Sequence, residues 1–240
     1  MFVKAIKIAK SAMFPIFHWE QVSSSQARVT VVGAGFFINS AGYFVSVTHI
    51  FDNPNIDTKF LYMGRLPDEV QNPSLELKEI TRNDEYDIFV GNIKIKSPKY
   101  FYLEKKVPDI GKSVCISGYP LAQITNNTQG GLELGGVRRY FQPSFVLDRA
   151  IVDIDNGAGC IRKHDGFLVR DFGLFGMSGG PVLNTKGLVV GIQGSVTPPR
   201  KSSGPGGRSI SVENAVVIRS NLMLDLLKKN NIRVNFWGKF

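Results

Sequence analysis

The stretch FGMSGGPVLN, Phe175 to Asn184, sets a serine among three glycines and ahead of a proline and an apolar run. Glycine and proline clusters make turns in any β-rich chain. The same residues also suit a catalytic nucleophile. A tetrahedral intermediate needs backbone N–H groups aimed at its oxyanion. A glycine two residues before Ser178 lets the chain bend so that the Gly176 and Ser178 amides can converge. Gly179 and Gly180 leave room for a substrate backbone, and Pro181 leads into a strand.

A serine hydroxyl is a weak nucleophile at neutral pH. It needs a base, and the base needs a carboxylate to hold its tautomer. The sequence offers His18, His49 and His164. His18, in IFHWE, reads as a packing residue, and His164, in the polar RKHDG, reads as a solvent-exposed turn residue. His49 closes the apolar run YFVSVTHIF, where a strand end can hold an imidazole beside a cleft. Asp87 directly precedes Ile88 to Val90, so it can be buried, whereas Asp84 and Glu85 lie further into a polar turn. A buried carboxylate needs donors, and the His49 Nδ1–H would be one.

The rest of the chain is consistent with a β protein around such a site. Short apolar runs with turn residues between them recur from RVTVVGAGFF to AVVI, the first pair forming a hairpin about Ser40 to Gly42. The spacing predicts sandwiches or barrels. VPDIGK marks a boundary between two halves. SNLMLDLLKKNNI is the clearest helix, with Ser220 as its expected N-cap, a stripe of Leu222, Leu226 and Leu227, and Lys228 and Lys229 at its C-terminal end. NNTQGGLELGG, DNGAGCIRKHDG and PPRKSSGPGGR have loop composition.

The formal net charge of +9 is scattered, without a block of like charges, and reads as a solvated basic surface. Nucleic acid is therefore not the expected partner. Two cysteines, Cys115 and Cys160, make no disulfide framework and no metal spacing. No cofactor or metal is expected, and a reducing, cytoplasmic setting fits. The N-terminal MFVKAIKIAKSAMFPIF has lysines interrupting its apolar residues and lacks a secretory pattern, and no membrane span is expected.

GAGFFINSAGYFVSVTHIF, YDIFVGNI, GKSVCISGYP and GMSGGPVLNTKGLVVGIQG occur in that order. Together they resemble the blocks of the chymotrypsin-fold serine peptidases, most closely the HtrA/Deg-like trypsin-like peptidase domain, over residues 30 to 230. The order His49, Asp87, Ser178 is the order of that fold. The resemblance implies an all-β chain of two six-stranded antiparallel β-barrels with a C-terminal α-helix. The single peptidase domain would span 1–240, with the first barrel at about 20–107, the second at 108–218 and the helix at 219–231. It implies a serine endopeptidase with catalytic His49, Asp87 and Ser178 and an oxyanion hole of Gly176 and Ser178. Its partner is a protein or peptide substrate, with an activating partner as a further expectation. Gln193, Gly194 and Ser195 would pair with an extended substrate, and Phe172, Gly173, Leu174 and Ala215 would wall the pocket for its P1 side chain. No acidic residue falls at the base of that pocket, so an apolar P1 is expected; Asp171, one residue from the place that rewards a basic side chain, leaves a basic P1 as the alternative.

The departures from the family pattern are informative. Threonine precedes His49 where the family usually has alanine or asparagine. Met177 precedes the serine where digestive relatives carry an activating aspartate. A PDZ domain is not expected after the helix. The alternative is a catalytically silent module on the same scaffold that binds RNA or a protein partner.

Overall fold

The computed structural model describes residues 1–21, 27–52, 60–64, 75–95, 98–120, 125–126, 132–133, 138–155, 160–197, 200–203 and 209–235. Much of NNTQGGLELGG, residues 156–159 of DNGAGCIRKHDG and residues 198–199 and 204–208 lie outside the described residues.

The chain forms two antiparallel β units, the all-β architecture expected from its turn-punctuated apolar runs. In the N-terminal unit a seven-stranded sheet runs in the order 75–76, 60–64, 13–21, 27–37, 43–46, 88–92, 78–83. The hairpin between Ala27–Phe37 and Tyr43–Ser46 turns where the sequence places it. The Asn39 side chain accepts from the Ala41 and Tyr43 amides at 3.0 and 3.2 Å. Aromatic residues fill this unit: Phe14 lies 4.9 Å from Phe37 and 5.3 Å, edge-on, from Phe44. Such ring pairs add about 1 kcal/mol each beyond the area they bury.

In the C-terminal unit a closed six-stranded barrel runs 140–155, 161–169, 215–219, 189–196, 181–184, 113–118 and back to the first strand. Val114, Ile116, Phe167, Met177, Val182 and Val217 pack in its centre. Met177, which removes the activating aspartate of digestive relatives, is thus a core side chain. The C-terminal helix, Ser220–Lys229, buries Met223, Leu226 and Leu227. They join one cluster with Ile192 and Ile218 of the barrel and the N-terminal phenylalanines. Each such side chain contributes about 2 kcal/mol on burial, which holds the helix on the barrel strands Val189–Val196 and Ala215–Arg219.

Two local expectations are corrected, and the N-terminus gains two elements. Ser220 does not cap its helix: its hydroxyl donates to the Glu104 carbonyl at 2.5 Å, across the unit boundary. A helix at Val3–Ala12 and a strand at Met13–Gln21 occupy the N-terminus, so His18 lies within a strand. Residues 161–166, expected as loop, open the strand Ile161–Val169. Arg162 and His164 take its inward positions, so a burial alternation exists there without a hydrophobic one.

Candidate functional site

Asp87 sits at the turn before the strand Ile88–Asn92, with φ +57° and no solvent exposure. The left-handed conformation is one that aspartate tolerates better than most residues. The Asn83 side chain holds the preceding turn by accepting from the Tyr86 amide. Both carboxylate oxygens of Asp87 are satisfied. Oδ1 accepts from the Thr48 hydroxyl at 2.7 Å, the His49 amide at 2.9 Å and Arg162 Nη1 at 3.3 Å. Oδ2 lies 2.6 Å from His49 Nδ1 and 2.9 Å from His164 Nε2. Burial pushes this carboxyl up, but the hydrogen bonds from His164 and His49, with their charges, outweigh it. They hold the group well below the usual carboxylate range, so it is ionised.

His49 begins a short 3-10 turn, His49–Phe51, directly after the strand Tyr43–Ser46 and Val47 and Thr48. Phe51 stacks on Phe89 at 3.9 Å, clamping this turn to the strand that follows Asp87. The His49 side chain stays 21% exposed while its Nδ1 faces the buried carboxylate. A carboxylate accepts only, so in the neutral ring Nδ1 carries the proton and Nε2 is the nitrogen that can act as a base.

Ser178 lies in a loop locked by its own backbone. The Met177 amide donates to the Leu174 carbonyl at 3.0 Å, and Gly176 has φ +90° while Phe175 does not have positive φ. This is a type II turn, which needs φ above zero at its third residue and so selects glycine. Compared with a type I turn, the Phe175–Gly176 peptide is flipped by roughly half a turn. Among the described residues, neither the Gly176 nor the Ser178 N–H has a protein acceptor. At Gly179, φ is +81°, and a Cβ would stand 2.2 Å from Ser46 Oγ and 2.3 Å from the Ala34 carbonyl. The serine loop is therefore pressed onto the N-terminal unit as only glycine permits.

A ring of contacts joins the elements. The Ala34 amide donates to the Ser178 carbonyl at 2.8 Å. A Cβ at neighbouring Gly33 would stand 2.6 Å from that carbonyl and 3.0 Å from Ile50, the residue after His49. On the other side, the Gly179 amide donates to the Gln193 carbonyl at 2.9 Å, and Gly194 lies against the His164 ring. His164 returns to Asp87. The structure thus brings His49, Asp87 and Ser178 to one junction between the two units.

His164, expected in solvent, is instead fully buried. Beside its bond to Asp87, its Nδ1 lies 2.9 Å from Ser195 Oγ. Arg162, 2% exposed, bridges Asp87 to Asp52, which also pairs with Arg82 at 3.2 Å. Thr48, Arg162, His164 and this role of Ser195 were not found from the sequence. Thr48 carried a signal, since a hydroxyl stands where the family usually has alanine or asparagine.

The residues expected to bind substrate fall around the loop. The backbone of Gln193 is already committed, its N–H to Gly180 and its C=O to Gly179. The ladder to Pro181–Asn184 ends at Ile192, and beyond it Ser195 and Val196 pair with Val216 and Ala215 on the other side. Gly173 faces Gln193 Nε2 and Val196, and Ala215 is buried, its amide donating to the Asp171 carbonyl. Leu174 packs against the barrel core, while Phe172 and Phe175 are exposed. The Asp171 carboxylate pairs with Arg170 at 3.2 Å. Among the described residues no group of His, Cys, Asp and Glu could hold a metal ion, and no helix is long and apolar enough to cross a membrane.

A family model described as a trypsin-like peptidase domain matches residues 33–192, which include His49, Asp87 and Ser178. Among solved structures, the active form of the Rv3671c protease from M. tuberculosis superposes with a TM-score of 0.66 at 14% identity, covering 96% of this chain and 86% of that one. The HtrA-type protease AlgW with a decapeptide gives 0.67 at 14% identity, covering 96% and 67%. The inactive form of Rv3671c gives 0.61 at 15% identity, covering 94% and 92%. These likenesses are of fold. No curated protein matches significantly in sequence.

Proposed function

Because the chain belongs to the trypsin-like peptidase domain family, we propose that it is a serine endopeptidase whose catalytic set is His49, Asp87 and Ser178. His49 Nε2 takes the proton of Ser178 Oγ as the oxygen attacks the scissile carbonyl. The Gly176 and Ser178 amides, free of protein acceptors among the described residues, receive the oxyanion. Asp87 stabilises the imidazolium that forms. His49 then gives the proton to the leaving amine, and water resolves the acyl-enzyme by the reverse steps. No metal or cofactor enters this scheme.

The observation that carries the reading is the 2.6 Å contact between His49 Nδ1 and a buried, ionised Asp87. It orients a base whose other nitrogen makes no hydrogen bond among the described residues, at the junction where the Ser178 carbonyl meets the N-terminal unit. Ser195 also has a histidine and Asp87 behind it, but its histidine is fully buried. A scissile carbonyl must reach serine and base together, and that site leaves no such access.

Phe172, Gly173, Leu174 and Ala215 are the proposed wall of the P1 pocket, and because they carry no acidic side chain an apolar P1 is the reading. The described cysteines, buried Cys115 and exposed Cys160, are both free, which suits a reducing, cytoplasmic setting. The test is cleavage of a peptide library by wild type and Ser178→Ala. Cleavage after apolar residues, abolished in the variant, is expected. Steeply salt-dependent RNA binding with no peptidase activity would favour the silent-module alternative instead.

A further inference from the structure

We propose that His164, held by Ser195, is a positioning residue that fixes the Asp87 carboxylate for His49. The proposal rests on the reading of His49, Asp87 and Ser178 as the catalytic set. It concerns a second arm on that set, reaching the carboxylate from the C-terminal barrel.

The geometry makes the argument. Three donors hold Oδ1 of Asp87: the Thr48 hydroxyl, the His49 amide and Arg162. Thr48 and His49 belong to the same turn as the base, so they move with it. Oδ2, the oxygen that orients His49, has one other partner among the described residues, His164 Nε2 at 2.9 Å. His164 lies on the strand Ile161–Val169, in the other unit. It therefore ties the carboxylate to a frame independent of the histidine that the carboxylate must aim. Arg162 reaches Oδ1 from the same strand, so His164 and Arg162 together hold both oxygens from the barrel side, and His164 alone of the two holds the oxygen that faces His49.

His164 is itself fixed. A Cβ at Gly194 would stand 2.8 Å from its Nδ1 and Cε1, so the ring rests against the backbone bulge between Gln193 and Ser195. Its Nε2 faces a carboxylate, an acceptor only, and so carries a proton. In the neutral ring Nδ1 then accepts the Ser195 hydroxyl proton across 2.9 Å. Ser195 thus selects the tautomer that donates to Asp87. The titratable and charged groups facing this cluster are Asp87, His49 and Arg162, with Asp52 behind Arg162. On the outward side of the same strand, Lys163 and Asp165 pair with Glu85 and Arg219.

Three substitutions at one position test the proposal. Glutamine places an amide nitrogen at about the reach of imidazole Nε2. Asparagine reaches only as far as Nδ1, and leucine donates nothing. Peptide turnover, KM, the acid limb of the pH–rate profile and thermal unfolding are measured for each. His164→Leu and His164→Asn should lower kcat on the order of 10- to 100-fold, the loss of one hydrogen bond to a charged group. KM should hold. The acid limb should move to higher pH, because Oδ2 then serves the His49 imidazolium alone and stabilises it more. His164→Gln should restore turnover to within about threefold, since it keeps a donor of the same kind. Ser195→Ala should fall between, having lost only the tautomer lock.

Wild-type kcat and an unmoved acid limb in His164→Leu would overturn the proposal. So would a folded His164→Gln as slow as His164→Asn. If leucine prevents folding, the glutamine and asparagine variants decide. A Ser178→Ala enzyme that still cleaves would overturn the catalytic reading itself, whatever the His164 series shows.

Discussion

His49 Nδ1 and His164 Nε2 end on the same oxygen of Asp87, at 2.6 and 2.9 Å. One imidazole comes from the N-terminal unit and is partly exposed. The other comes from the barrel and is buried. A single carboxylate thus holds a histidine that can meet substrate and a histidine that cannot.

Replacing that carboxylate should be costly for activity and should alter acid stability. Asp87→Asn presents one acceptor oxygen where two now serve, and its amide protons face donors. Turnover should drop about 10³- to 10⁴-fold with the fold intact, the effect expected when a base loses its tautomer partner. Asp87 is lowered on folding by the histidine hydrogen bonds against the upward push of burial. A group lowered in this way adds stability above its unfolded value, near pH 4, and loses it as pH falls through the folded value. The advantage of wild type over Asp87→Asn in urea unfolding should be full above about pH 5 and shrink below about pH 4. An advantage independent of pH across that range would contradict the assignment of an ionised Asp87.

Thr48→Val keeps shape and removes one donor from Oδ1. The lost bond is to a charged acceptor, so a stability loss of about 1.5–3 kcal/mol is expected. Turnover should also fall, because Thr48 and the His49 amide grip the same oxygen. Thr48→Ser should restore both. Chemical denaturation and steady-state kinetics check this pair.

Much of the site was legible in the sequence because its parts are local. The serine loop announces itself through glycines that the backbone needs at Gly176 and Gly179. His49 and Asp87 flank apolar runs that are strands. His164 was not legible, and the reason is physical. Its strand alternates between inward and outward residues, but the inward ones are Arg162 and His164, so hydrophobic periodicity is absent. Only long-range partners, Asp87 and Ser195, explain why a polar stretch is buried there. The helix Val3–Ala12 was obscured differently. Its buried face is Ala5, Ala9 and Ala12, small residues at helical spacing that give little apolar signal beside the lysines.

Gly176→Ala tests the oxyanion donors apart from the base. With φ at +90°, an alanine there is strained by about 1–2 kcal/mol, and its Cβ would stand 2.5 Å from the Tyr119 carbonyl. The turn should relax toward type I and swing the Gly176 N–H away. Turnover should fall on the order of 10²- to 10³-fold with KM little changed. A variant that lost KM and kept kcat would mean that this amide binds substrate in the ground state instead.

The most direct measurement is the position of a covalent label. A fluorophosphonate reacts with a serine whose base takes its proton, and mass spectrometry of the labelled protein locates the adduct. The account predicts a single adduct on Ser178, absent in Ser178→Ala and Asp87→Asn and retained in Ser195→Ala. An adduct on Ser195, or undiminished labelling in Ser178→Ala, would contradict it.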